Sequence, residues 1–66
     1  MRIVVNGTPR EVPPGLTVAR LLDELQIEPK HVAVEVNLEL VPRGEHARRP
    51  LAEGDQLEVV TLVGGG

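Results

Sequence analysis

Apolar residues recur along the chain in two distinct periods, and the change of period marks the elements. Residues 1 to 6 are a short β-branched run (Ile3, Val4, Val5) closed by Asn6-Gly7, the dipeptide best suited to a two-residue hairpin turn with positive φ. The return strand runs from Thr8 to Val12 and stops at Pro13-Pro14-Gly15, where two backbone donors are missing from any ladder. Period-two alternation places Ile3, Val5 and Val12 inside. From Leu16 the spacing becomes helical: Val18, Leu21, Leu22 and Leu25 fall at i, i+3, i+4 and i+7, Thr17 is a cap residue, and Arg20, Asp23 and Glu24 face water. The helix is expected over residues 18 to 26, ended before Pro29, with Ile27 closing the end of the core.

Strand chemistry returns at residues 31 to 36, where Val32, Val34 and Val36 alternate with His31, Ala33 and Glu35, and Asn37 turns the chain into a strand over Leu38 to Val41. Residues 42 to 50 read as a charged loop, with Leu51 plugging the core beneath it. Glu53-Gly54-Asp55 is a turn shaped by Asp55, and Gln56 to Leu62 is the last strand. Strand pairs on either side of one helix predict an α+β, two-layer domain over residues 1 to 63, a mixed five-stranded sheet packed on the helix, followed by a glycine tail at 64 to 66. This order and size resemble the ubiquitin-like β-grasp fold.

The absence of aromatic residues and of cysteine narrows the picture. The core must be aliphatic, and no disulfide, thiolate metal site or thiol nucleophile is available to the 66 residues. A net charge of -3 with no ring on which a base could stack argues against nucleic acid as a partner. The first apolar run breaks at Asn6-Gly7, far short of a signal peptide or a membrane span, so a soluble cytoplasmic protein with no membrane partner is expected.

No catalytic or metal site emerges from the side chains. His31 and His46 lack ligand spacing and read as surface histidines. Glu35, Glu39 and Glu58 are scattered strand carboxylates with no sign of an acid/base couple, and Arg43, Arg48 and Arg49 read as a solvated loop. One surface does stand out. With Leu57 and Val59 turned inward, Glu58, Val60 and Leu62 share the other face, which makes Val60, Leu62 and Val63 candidates for docking a partner. Coverage of these side chains by the 42 to 50 loop is the competing expectation.

The chain closes on Gly64, Gly65 and Gly66. A phosphate-cradling glycine loop needs a helix beyond it, and no residue follows here. What remains is a flexible arm presenting the α-carboxylate of Gly66. Four residues reach at most about 13 Å, and lacking Cβ the glycines, Gly64 and Gly65 above all, can thread a narrow channel. At neutral pH the carboxylate is an anion able to attack the α-phosphate of ATP in another protein's site. Glycine count alone is met equally well by an inert chain end.

Three stretches change that balance. Val41-Pro42-Arg43, Gly54-Asp55 and Val63-Gly64-Gly65-Gly66 resemble the ThiS family, sulfur carriers of thiamin thiazole biosynthesis, and the resemblance spans essentially the whole chain. One departure is visible: the family often carries an aromatic residue near position 46, where this chain has His46. The resemblance implies a protein cosubstrate rather than an enzyme, binding no cofactor of its own. An adenylyltransferase of the ubiquitin-activating type would use ATP and Mg²⁺ to convert the Gly66 carboxylate to an acyl adenylate. Sulfur drawn from cysteine through a desulfurase persulfide would displace AMP to give a thiocarboxylate, which thiazole synthase would consume.

Other readings stay open. Carriers serving molybdopterin synthesis or tRNA thiolation also end in diglycine, although their tails resemble Pro-Pro-Val-x-Gly-Gly more closely than this one. A ubiquitin-like modifier would join Gly66 to a target lysine. A β-grasp interaction module would do no chemistry at all.

Overall fold

The computed structural model describes residues 1 to 62 of the chain. Val63 and the tail residues Gly64, Gly65 and Gly66 lie outside the described residues, and with them the expectations placed on that tail.

Strand β1 (Arg2–Val5) pairs antiparallel with β2 (Thr8–Glu11) through the Asn6-Gly7 turn, and its Ile3 and Val5 are buried as the alternation predicts. Helix α1 (Val18–Glu24) follows, with the Thr17 hydroxyl accepting from the Arg20 amide at 3.2 Å. Strands β3 (Val32–Val36), β4 (Glu39–Val41) and β5 (Gln56–Thr61) complete a sheet of order β2-β1-β5-β3-β4. Only the β1–β5 pairing is parallel, so the sheet is mixed and β5, the last strand, lies at its centre. This is the ubiquitin-like β-grasp arrangement.

The core is aliphatic throughout. Ile3, Val18, Leu21, Leu22, Val34, Val36 and Leu57 are each at most 2% exposed, and Val12, Leu16, Val41 and Leu51 close its margins. Each such side chain contributes about 1.5–3 kcal/mol by leaving water, the main term available to so small a domain. Ile27 and Leu25 pack against this cluster from its edge, half-buried.

The helix ends two residues earlier than its periodicity suggests. Gln26 adopts φ +59°, its amide bonds the Asp23 carbonyl at 3.0 Å, and the Ile27 amide bonds the Leu22 carbonyl at 2.9 Å. This left-handed stop satisfies carbonyls that the approach of Pro29 would otherwise strand. A short 3-10 helix, Pro29–His31, then leads into β3, so the strand starts at Val32 rather than His31.

The segment from 42 to 50 is more ordered than a charged loop. Arg43–Arg48 forms a 3-10 helix, and the segment after it is stitched to the start of α1, with Val18 N bonding Arg49 O at 3.0 Å and Leu51 N bonding Leu16 O at 2.8 Å. His46, expected at the surface, is 4% exposed. Its Nε2 donates to the Val41 carbonyl at 3.1 Å, which leaves Nδ1 buried without a partner. An imidazole thus fills the space beneath this helix in a chain that has no aromatic side chain to place there.

Two asparagines in positive-φ turns hold the first half of β5. Asn37 (φ 53°) donates from Nδ2 to the Asp55 carboxylate at 3.0 Å, and its Oδ1 accepts from Gln56 N at 3.0 Å. The buried Asp55 also accepts from Ala52 N at 2.8 Å, so its carboxylate does shape the turn before β5. Asn6 does the same on the opposite flank, bonding Val59.

Candidate functional site

The place where the chain leaves the sheet is set by what still holds β5. Along one side β3 accompanies it to the end, with Val32 opposite Thr61, and Leu62 N then bonds His31 O at 2.8 Å. Along the other side β1 has already turned away. Its last contacts are Asn6 N to Leu57 O at 2.9 Å and the Asn6 side chain to Val59. Among the described residues, those after Val59 are therefore bonded on one flank only.

The face turned away from α1 carries the apolar surface that alternation predicts. Leu57 is 2% exposed while Val60 and Leu62 are 52% and 50% exposed, so the 43–48 helix does not cover them. Ala33 lies opposite Val60 across β3 and β5. Leu62 also borders a groove of about 320 Å³, whose walls include Pro29, Ala33, Leu40 and Pro42, with Lys30 and Arg43 at its margin. Val63, the third docking candidate, lies outside the described residues.

Leu40, 64% exposed, extends this surface onto β4 and was not singled out by sequence patterning, because a three-residue strand offers too little alternation to orient. In the register of the sheet Glu35 stands opposite Leu40 on one side and Glu58 on the other. The exposed face thus holds two carboxylates between its apolar residues. Among the described residues no group of three His, Cys, Asp or Glu side chains could hold a metal ion, and no helix is long and apolar enough to cross a membrane. The ion pairs among them are confined to the first strands, where the N-terminal ammonium and Arg2 approach Glu11 at 3.8 and 3.6 Å. Arg43 and Arg48 are exposed, as expected of a solvated segment, whereas Arg49 is only partly exposed and its carbonyl accepts from Val18 N.

The family model for the ThiS family matches residues 3–66. The sulfur carrier protein ThiS of Thermus thermophilus is 44% identical over 62 residues, covering 94% of this chain and 95% of that protein. A crystal structure of the thiamine biosynthesis protein ThiS from Geobacter metallireducens superposes with a TM-score of 0.87 at 33% identity, covering all of both chains. Thiazole synthase of Paramagnetospirillum magneticum is 44% identical over all 66 residues, yet the chain spans only 20% of that protein's length.

Proposed function

The chain belongs to the ThiS family, and on that premise we propose that it is a sulfur carrier of thiamine biosynthesis whose working group is the carboxylate of Gly66. The observation that carries this reading is the joining of a triglycine tail to the central strand of a β-grasp sheet, beside an exposed apolar face. A tail without side chains can enter another protein's catalytic site while the folded body docks outside it.

The chemistry proceeds in two acyl steps. In an adenylyltransferase of the ubiquitin-activating type, a Gly66 carboxylate oxygen attacks the α-phosphate of Mg²⁺-bound ATP; pyrophosphate leaves and an acyl adenylate forms. A persulfide sulfur, delivered through a cysteine desulfurase, then attacks the acyl carbon and expels AMP; reductive cleavage of the resulting acyl disulfide by a thiol leaves the Gly66 thiocarboxylate. Thiazole synthase accepts that sulfur and the carboxylate is restored, so the chain serves as a cosubstrate. In this reading Gly64 and Gly65 thread the channel, and Val60, Leu62 and Val63 dock on the partner's surface. The partner assignment is supported by the relative named thiazole synthase, in which a segment like this chain makes up a fifth of the protein.

Deleting Gly65 and Gly66 tests the reading. The shortened chain should fold normally yet be neither adenylated nor loaded with sulfur, and it should fail to support thiazole formation. A shortened chain that still sustains thiamine synthesis would leave the interaction-module reading in its place.

A further inference from the structure

Two hairpin tips flank the first residues of β5, pointing in opposite directions along the sheet, and share a geometry. Val5 pairs with Thr8 across Asn6 (φ 49°) and Gly7 (φ 81°), and Val36 pairs with Glu39 across Asn37 (φ 53°) and Leu38 (φ 71°). Both are two-residue turns with positive φ at each position, the type I′ pattern that favours Asn-Gly. The first turn has that glycine. The second holds leucine in the left-handed region, which strains its Cβ against the backbone, and leaves the side chain 88% exposed. Folding gains from neither feature, and strain retained at an exposed apolar residue points to a contact made outside the chain.

The surroundings state the chemistry of that contact. Leu38 borders a cleft of about 430 Å³ that also includes Gly7, Gln56, Leu57 and Glu58. Glu58 lies within it, Glu39 is the neighbour of Leu38, and Glu35 faces Glu58 across the sheet. Among the described residues none of these three carboxylates is in an ion pair. A second copy of the chain would set like charges against each other, whereas a partner with arginine or lysine around an apolar socket would be matched in both respects. Leu38 lies beyond the Leu57 end of β5, and five residues of strand, about 17 Å, separate Leu57 from Leu62.

We propose that Leu38 is a docking anchor that inserts into an apolar socket of thiazole synthase, rimmed by basic side chains that meet Glu58 and Glu35 on the exposed face, so that the carrier is gripped at the end of the sheet opposite Leu62. This rests on the partner assignment above.

Leu38→Gly separates this role from a structural one, because the two effects run in opposite directions. The variant full-length chain should melt about 3 °C higher, since the strain is relieved. Its Kd for thiazole synthase, measured by calorimetry, should weaken at least tenfold, as for loss of an anchor side chain. Leu38→Met should bind as the native chain does, and added salt should weaken binding of the native chain. The anchor is overturned if Leu38→Gly binds the synthase within twofold of native, if its loss of affinity is confined to the adenylyltransferase, or if the native chain dimerises through this residue in sedimentation. Failure of the native chain itself to bind the synthase would overturn the partner assignment together with the anchor.

Discussion

The side-chain amide of Asn6 bonds both backbone groups of Val59, its Oδ1 accepting from Val59 N at 2.8 Å and its Nδ2 donating to Val59 O at 3.2 Å. It occupies the position a further residue of β1 would have filled, because β1 turns away at Asn6 with φ 49°. Among the described residues this contact is the last bond on that flank of β5, and beyond it the strand is held by β3 alone.

Replacing Asn6 by Asp keeps the acceptor for Val59 N and sets a carboxylate oxygen against Val59 O. Stability should fall by about 1–2 kcal/mol, the cost of one hydrogen bond replaced by a repulsive oxygen–oxygen contact. Amide hydrogen exchange at Val59 and Val60 should quicken while the amides of β1 stay protected. Unchanged exchange at Val59 would show that β3 alone fixes the strand end.

The exposed pair Val60 and Leu62 is expected to contribute to docking rather than to folding, since both are about half accessible in the isolated chain. Val60→Asp should leave the circular dichroism and melting temperature close to native while reducing sulfur loading by the adenylyltransferase at least tenfold. Loading at the native rate would remove this face from the interaction.

His46 is predicted to be structural. Truncation to Ala removes its buried packing and its bond to the Val41 carbonyl, and should cost about 2–3 kcal/mol, read as a lowered denaturant midpoint. His46→Phe loses the same hydrogen bond but also removes the unpartnered Nδ1, and should recover most of that stability. Equal loss in the two variants would mean that the hydrogen bond, and not the filled volume, is what matters.

Much of this architecture was legible from residue spacing, and the exceptions have physical causes. Ile3 and Val5, and Val18, Leu21 and Leu22, follow from period alone because each lies on an element with one buried and one wet face, whereas Val12 is buried just past the end of β2, whose own residues are all exposed. Val60 and Leu62 followed from the same rule, once Leu57 was assigned inward. His46 escaped because a 3-10 helix of six residues has no periodicity long enough to betray its inner face, and a histidine at an inner position looks like any polar residue. Leu38 read as the start of a strand because its turn lacks the glycine that marks such turns elsewhere in the chain. Gln26 hid the helix end for the same reason, taking a left-handed conformation without being glycine or asparagine.

The account rests on Gly66, and intact-protein mass spectrometry with fragmentation addresses it most directly. The full-length chain is incubated with ATP, Mg²⁺, the adenylyltransferase and a persulfide sulfur donor. The predicted result is replacement of one oxygen by sulfur, localised by the fragment ions to Gly66 and absent when ATP is withheld. Addition of oxygen to Met1 changes the mass by nearly the same amount, so the fragment ions decide. An unchanged Gly66, or a mass gain carried only by Met1, would contradict the carrier reading.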